Sequence, residues 1–86
     1  MRDKEWLAYI LFSCPYKLTS KDKLVASFLI YVPMEENSHK APNNLAEIIS
    51  SNSHLAVRTV QKSLGRLVAI GAVTFVTDSH FILEEI

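Results

Sequence analysis

The stretch AVRTVQKSLGRLVAIGAV at residues 56–73 limits the possible folds of this chain more than any other. Helical residues step by about 100°, and by that spacing an apolar stripe forms from Val57, Val60, Leu64, Leu67 and Val68. Gly71 follows the stripe, and glycine readily adopts the left-handed conformation that ends helices. The stretch therefore predicts an amphipathic helix whose apolar side covers the core of a small domain.

Three further helices are predicted before residue 56. Acidic residues near the start of RDKEWLAYILFS favour a helix, although the short apolar run also fits a buried strand, and Pro15 ends it in either case. Thr19 or Ser20 can cap a second helix, in which apolar residues recur at helical spacing until Pro33. A third helix, NLAEIISS, follows Pro42 with an asparagine cap, and the turn-forming SNSH bends the chain after it.

The C-terminal part of the chain predicts a β-hairpin. VTFV and HFIL are rich in residues that favour strands, and TDS between them favours a bend. Residues 34–41, MEENSHKA, are predicted as a loop that can hold a very short strand near Lys40. The predicted fold class is therefore mainly α with a small β-hairpin, an α+β fold. Its element order is that of a winged helix, provided that the third and fourth helices pack at a steep angle.

The polar side of the helix predicted at about residues 56–70 is basic, although nine lysines and arginines balance nine aspartates and glutamates in the whole chain. We call this side the basic face, and it consists of Arg58, Thr59, Lys62 and Arg66. Arginine and lysine can bind guanine edges in the DNA major groove, and all of these side chains can contact phosphate. The alternative interpretation is a basic surface that only faces solvent. Gly65 destabilises a helix interior by about 1 kcal/mol relative to alanine, so we expect another helix or nucleic acid to pack against it.

Three stretches of the chain resemble the winged helix-turn-helix domains of bacterial and phage regulators and replication proteins: LTSKDKLVASFL, NNLAEI and RTVQKSLGRLVAIGAV. Those domains often contain a Leu-Thr-x-x-x-Lys-Leu helix, a Leu-Ala-Glu helix and a recognition helix of the pattern Arg-Thr-Val-x-x-x-Leu-x-x-Leu-x-x-x-Gly. The resemblance covers about residues 18–83. Its most specific positions are Thr59, Val60, Leu64, Leu67 and Gly71. It implies binding of double-stranded DNA, with Arg58, Thr59 and Lys62 as contacts to bases or phosphates.

The positions of the two arginines in the helix predict different roles for them. Arg58 lies nearest the helix N-terminus, the end that most often reaches base edges, and is predicted to read a base. Arg66 lies about two turns further on and is predicted to contact phosphate.

The sequence departs from the pattern of these domains in its turn and in its hairpin. The turn SSNSHLA is longer than usual and contains no glycine. The hairpin bend contains Asp78 and His80 but no lysine or arginine, although wings of this group often carry a basic residue for phosphate. The acidic pair Glu84 and Glu85 should lie away from DNA.

The N-terminal segment is predicted as an addition to the winged helix, so that residues 1–17 form an apolar segment and residues 18–86 form the winged helix-turn-helix domain. A run of apolar residues on a helix exposes apolar groups all round, and one small core does not cover them all. We therefore predict a homodimer, with dimerisation through Trp6, Leu7, Tyr9 and Ile10. The alternative is that this segment covers one side of the domain core.

The composition argues against a membrane protein and against an enzyme. The longest apolar run, residues 6–12, is far shorter than the ~20 residues that span a bilayer, and we expect a soluble, cytoplasmic protein. His39, His54 and His80 have no other ligand type at metal-binding spacing and are expected at the surface or in turns. The single cysteine, Cys14, fits a structural thiol. We expect no cofactor and no metal.

Sequence-specific DNA binding in transcriptional regulation is the function that the sequence favours. One alternative is a phage or plasmid replication or partition protein that binds DNA sites. The other is a winged helix that serves only as a protein-interaction module. The distribution of charge separates them, since DNA binding requires further cations such as Lys21 or Lys40 beside the basic face, whereas surrounding carboxylates favour the interaction module.

Overall fold

The computed structural model describes residues 2–85 and contains four helices and four strands in that range. In chain order they are α1 (Arg2–Phe12), α2 (Ser20–Leu29), β1 (Met34–Glu35), β2 (Ser38–Lys40), α3 (Leu45–Ser53), α4 (Val57–Ala69), β3 (Val73–Phe75) and β4 (His80–Leu83). The strands form one antiparallel sheet in the order β1-β2-β4-β3. The fold is therefore mixed α+β, as predicted, with a larger sheet than the sequence indicated.

The second helix begins at one of the two predicted caps. Thr19 is the N-cap of α2: its hydroxyl accepts the Asp22 N–H at 3.1 Å, while the Asp22 carboxylate accepts the Thr19 N–H at 3.0 Å. This reciprocal capping box satisfies two backbone donors at the helix start. Asn44 is the N-cap of α3, as predicted, but its side chain makes no capping hydrogen bond.

The turn between α3 and α4 is shorter than the sequence predicted. SNSH was expected to bend the chain, but α3 continues through Ser53, so that only His54, Leu55 and Ala56 connect the helices. His54 has φ 62°, the left-handed conformation that glycine usually adopts at a helix end. A histidine therefore takes this conformation in a turn that contains no glycine.

The predicted apolar stripe of α4 is confirmed at its centre, but the burial predicted at one edge of the stripe is wrong. Val60 and Leu67 are fully buried against residues of α2 such as Val25 and Leu29, whereas Leu64 is only half-buried. Val68 is 41% exposed. The buried side of the helix is rotated toward Ser63, because the hydroxyl of Ser63 bonds to a carboxylate of α2.

Residues 34–41 were predicted as a loop with a very short strand near Lys40, and that strand is confirmed as β2. The segment forms the hairpin β1–β2, and β2 pairs with β4. The prediction of a surface position for His39 is wrong, since its side chain is 2% exposed and stacks on Phe81 with ring centroids 5.0 Å apart. Its Nδ1 lies 2.7 Å from the Val32 carbonyl oxygen, and its Nε2 lies 3.4 Å from an Asp3 carboxylate oxygen. These acceptors let a polar ring take part in the core.

Helix α1 belongs to the core of the folded chain. Trp6 is 2% exposed and Ile10 is 1% exposed. The indole N–H of Trp6 donates to the carbonyl oxygens of Ala72 and Glu84, each at 3.1 Å, which ties α1 to the C-terminal hairpin. The side chains of Trp6 and Ile10 are therefore inside the folded chain and are not free to form a dimer surface. Leu7 and Tyr9 are partly buried against the same core.

Within residues 2–85, no helix is both long enough and apolar enough to cross a membrane.

Candidate nucleic-acid interface

The basic face lies along the side of α4 that points away from the core. Arg58 and Lys62 are exposed, and the Arg66 side chain is 44% exposed, while Thr59 is half-buried at the edge of the face. Neither Arg58 nor Lys62 forms an ion pair with any described residue. The two cations nearest the start and middle of α4 are therefore available to an anionic partner.

Arg66 has a carboxylate partner that the sequence analysis did not find. Asp22 of α2 is fully buried, and the Nη1 of Arg66 donates to its two carboxylate oxygens at 2.8 and 3.0 Å. The hydroxyl of Ser63 donates to the same carboxylate at 2.7 Å, and the Thr19 N–H donates to it at 3.0 Å. Asp22 thus joins the first turn of α2 to the second half of α4.

The hydrogen bonds to Asp22 keep its carboxyl ionised. Burial raises the pKa of this carboxyl, but the hydrogen bonds from Ser63 and from the Thr19 N–H, together with the bond and the charge of Arg66, lower it further, and the net pKa lies below its ordinary value. Both partners of the pair are therefore charged at neutral pH. The arrangement fixes one side of the Arg66 guanidinium and leaves its Nη2 and Nε as further donors.

A groove, which we call the α2–α4 groove, runs between the start of α2 and the basic face. Its lining residues are Thr19, Ser20, Lys21, Asp22, Thr59, Lys62, Ser63 and Arg66. Lys21, Lys62 and Arg66 supply positive charge to it, and Asp22 is the only acidic residue among the lining residues. Lys21 therefore joins the basic face, as DNA binding requires. Lys40 does not, because it lies 3.8 Å from Glu35 in the β1–β2 hairpin.

No described residue packs against the interior glycine of α4. A Cβ atom added at Gly65 would meet nothing within 4 Å. By the helical step of about 100°, Gly65 lies beside Arg58 and Lys62 on the outward side of the helix. The expectation that another helix of this chain packs on Gly65 is wrong. Nucleic acid remains the predicted neighbour.

The bend of the β3–β4 hairpin is held by hydrogen bonds among polar side chains. The Thr77 hydroxyl oxygen accepts the His80 N–H at 3.0 Å and lies 2.9 Å from the His80 Nδ1, while the His80 Nε2 lies 2.9 Å from Glu35. The hydrogen bond from His80 and the charge of Lys40 hold the pKa of Glu35 below its ordinary value. This bend offers no cationic side chain, and its neighbours Phe75 and Val76 are 42% and 54% exposed.

Four of the nine acidic residues group at a different part of the surface. Asp3, Glu5, Glu84 and Glu85 line a depression next to Trp6, where α1 meets the end of β4. Neither Glu84 nor Glu85 lines the α2–α4 groove. Within residues 2–85, no group of three or more histidine, cysteine, aspartate or glutamate residues is arranged to hold a metal ion, and Cys14 is half-buried.

The sequence contained a signal for part of this site. The spacing of Thr19 and Asp22 is that of a capping box, which identifies Asp22 as a helix-start residue. Nothing in the sequence indicates that Asp22 meets Ser63 and Arg66, because these residues are far apart in the chain and their contact depends on how α2 and α4 pack.

Comparison with known proteins gives no relative for this chain: no family model, no curated protein and no solved structure matches it. The function is therefore argued from the geometry of the site.

Proposed function

We propose that this chain is a winged helix-turn-helix protein that binds specific sites in double-stranded DNA and acts in transcriptional regulation. In this proposal α3 and α4 form the helix-turn-helix, α4 is the recognition helix in the major groove, and β3 and β4 form the wing. The order of helices and strands in residues 20–83 supports this assignment, as does the short turn that joins α3 to α4.

The observation that carries the proposal is the grouping of unpaired cations around α4. Arg58 and Lys62 project from the helix, and Lys21 reaches the same region from α2. Asp22, the one carboxylate among the described residues that line the α2–α4 groove, is fully buried and paired with Arg66, so it presents no free negative charge to a polyanion. A chain with no net charge thus has a locally positive surface, which is what phosphate binding requires.

The proposed roles follow from position on the helix. Arg58 lies in the first turn of α4 and is assigned to a base edge in the major groove. Lys62, Arg66 and Thr59 are assigned to backbone phosphates on the side of the groove that faces α2. Gly65 lets the helix approach DNA closely, because no side chain stands between the helix backbone and the partner there.

Selection of bound sequences from a pool of random duplexes tests the proposal. The selected duplex and a scrambled duplex of the same composition are then titrated at two salt concentrations. We expect enrichment of one sequence, tighter binding to it and weaker binding at the higher salt concentration. Failure to enrich any sequence, together with affinity that does not depend on salt, would contradict DNA binding.

A matched pair of lysine variants locates the interface. Lys62→Ala should reduce the slope of log affinity against log salt by about one phosphate contact. Lys4→Ala is the control, because Lys4 is an exposed lysine of α1, between Asp3 and Glu5 in the sequence, and does not line the α2–α4 groove. Equal slopes for the two variants would place the interface elsewhere.

A homodimer remains part of the proposal, since two copies on DNA would present their recognition helices to half-sites about 34 Å apart. The core position of Trp6 and Ile10 limits any interface on α1 to its outer residues. Sedimentation of the protein with and without the selected duplex measures the stoichiometry. A single copy on a selected site without repeated halves would exclude the dimer.

A protein-interaction module is the second candidate function. The observation that favours it is the exposure of Phe75 and Val76 on a hairpin whose bend carries Asp78 and no cation. Apolar side chains grouped at the surface favour a protein partner over phosphate. This function becomes the better account if the selection enriches no DNA sequence.

A further inference from the structure

We infer that Asp22 is a positioning residue for DNA recognition: it holds the Arg66 guanidinium in one orientation and thereby raises specific binding above non-specific binding. This inference rests on the proposed function, since it concerns how the basic face uses Arg66. Asp22 itself is fully buried, so this inference gives it no direct contact with DNA. It acts through the arginine that reaches the surface.

The geometry around Asp22 leaves Arg66 little freedom. One nitrogen, Nη1, meets both carboxylate oxygens at 2.8 and 3.0 Å, which holds the end of the Arg66 side chain against α2. The carboxylate is fixed in turn by the Ser63 hydroxyl of α4 and by the Thr19 N–H of α2. The donors on Nη2 and Nε therefore have their direction set before DNA binds. The entropy cost of ordering this long side chain is then met in the free protein and does not weaken binding.

The charge of Asp22 acts in the opposite direction to its positioning effect. By pairing with Arg66, Asp22 neutralises one positive charge of the basic face, which weakens the attraction of the surface for any nucleic acid, whatever its sequence. Its hydrogen bonds, in contrast, favour only those complexes in which a phosphate lies where the held Arg66 guanidinium can reach it. Base recognition by Arg58 fixes the register of the helix, and so places that phosphate, only on the selected duplex. Charge and positioning can therefore be separated, because they change the affinities for different duplexes in different directions.

Asp22→Asn is the variant that separates them, because asparagine keeps the shape of the side chain and removes its charge. We expect affinity for the selected duplex to fall by about two- to tenfold, from the ordering of one freed long side chain. We expect affinity for the scrambled duplex to stay the same or rise. The ratio of the two affinities should therefore fall. Loosening of the fold alone would lower both affinities together and leave their ratio unchanged.

The coupling between Asp22 and Arg66 provides a second readout. If Asp22 acts through Arg66, then Asp22→Asn should change the ratio little once Arg66→Ala is present, and the double variant should show far less than the sum of the two single effects. Ser63→Ala gives an intermediate case, because it removes one of the donors that hold the same carboxylate and leaves the pair of Asp22 with Arg66. It should lower the ratio of the two affinities less than Asp22→Asn does.

The measurement is made well below the melting temperature of each variant. If Asp22→Asn does not fold, Arg66→Lys takes its place, since a lysine keeps the charge but lacks the planar fork, and the same fall in ratio is expected. An unchanged ratio, a parallel fall on both duplexes, additive effects with Arg66→Ala, or an equal fall for Ser63→Ala would overturn the inference. If the wild-type protein itself does not distinguish the two duplexes, it is the proposed function that fails.

Discussion

Replacement of Gly65 by alanine should stabilise the protein and weaken its binding to DNA. Gly65 lies in the interior of α4, with helical residues on both sides of it. Glycine in that position is less favourable than alanine by about 0.8–1.0 kcal/mol. The new Cβ meets nothing within 4 Å, so no steric term reduces this gain. We therefore expect the free energy of unfolding to rise by nearly the full propensity difference.

Urea denaturation followed by circular dichroism measures this change. The midpoint should rise while the dependence on urea stays constant, since the surface exposed on unfolding hardly changes. In a thermal scan, a gain of 1 kcal/mol corresponds to an increase in melting temperature of about 4–8 °C for a domain of 60–100 residues. Unchanged or lower stability would show that Gly65 is not the free helical position described here.

The same variant tests the interface, because the Cβ would stand on the outward side of α4 beside Arg58 and Lys62. If DNA lies against this side, affinity for the selected duplex should fall in a protein that has become more stable. General damage to the fold would lower both the stability and the affinity for DNA, so it does not explain a rise in stability together with a fall in affinity. Unchanged affinity would mean that the DNA backbone does not approach Gly65.

Three further predictions concern the stability of the fold. Trp6→Phe should cost about 1–3 kcal/mol, because it removes the N–H that donates to the carbonyl oxygens of Ala72 and Glu84 and leaves a smaller side chain at a buried position. Deletion of residues 1–13 should leave an unfolded chain by circular dichroism; a folded truncated domain would contradict the core position of α1. Leu67→Ala should lower the free energy of unfolding by about 2–5 kcal/mol, and Leu64→Ala should lower it distinctly less, because Leu64 is only half-buried. Urea denaturation measures both losses, and equal losses would contradict the rotation of α4 toward Ser63. The pKa of Asp22 is lower in the folded protein than in the unfolded chain, so its contribution is fully present above the ordinary value of about 3.9 and is lost as the pH falls through the folded value. Stability measured against pH should therefore fall more steeply on acidification in the wild type than in Asp22→Asn, and parallel curves would contradict the network around Asp22.

Local signals in the sequence predicted much of the fold. The helix starts and ends depend on one or two residues, such as Thr19 and Gly71, whose preferences act within a single turn. Gly71 has φ 83°, the left-handed conformation that was predicted to end α4. The strands of the C-terminal hairpin were also found from their composition, because β-branched and aromatic residues favour strands wherever they pack on one face.

The features that the sequence did not predict depend on contacts between distant residues. The strand β1 is short and polar and was not predicted, and the pairing of the predicted short strand β2 with β1 and with β4 joins distant parts of the chain. The burial of His39 depends on acceptors from Val32 and Asp3, which lie in other elements. The turn after α3 was misjudged because a serine- and asparagine-rich stretch can continue a helix when its last residue, here His54, takes a left-handed conformation.

The candidate site shows the same division. The basic face was predicted, because the helical step alone places Arg58 and Lys62 together. The partner of Arg66 was not predicted, because Asp22 lies on another helix. The spacing of residues within one helix does not indicate contacts with a different helix. Whether the resulting surface is positive depends on which carboxylates fold against it.

The affinity of Arg58→Ala for the selected and scrambled duplexes tests the central claim most directly. Arg58 is exposed and forms no ion pair with a described residue, so its removal should leave the fold intact. If α4 lies in the major groove with Arg58 on a base edge, affinity for the selected duplex should fall by about 1–3 kcal/mol and the preference at one base pair should relax. The scrambled duplex should lose much less. Equal affinities of wild type and Arg58→Ala on both duplexes would contradict the claim that α4 recognises DNA through its basic face.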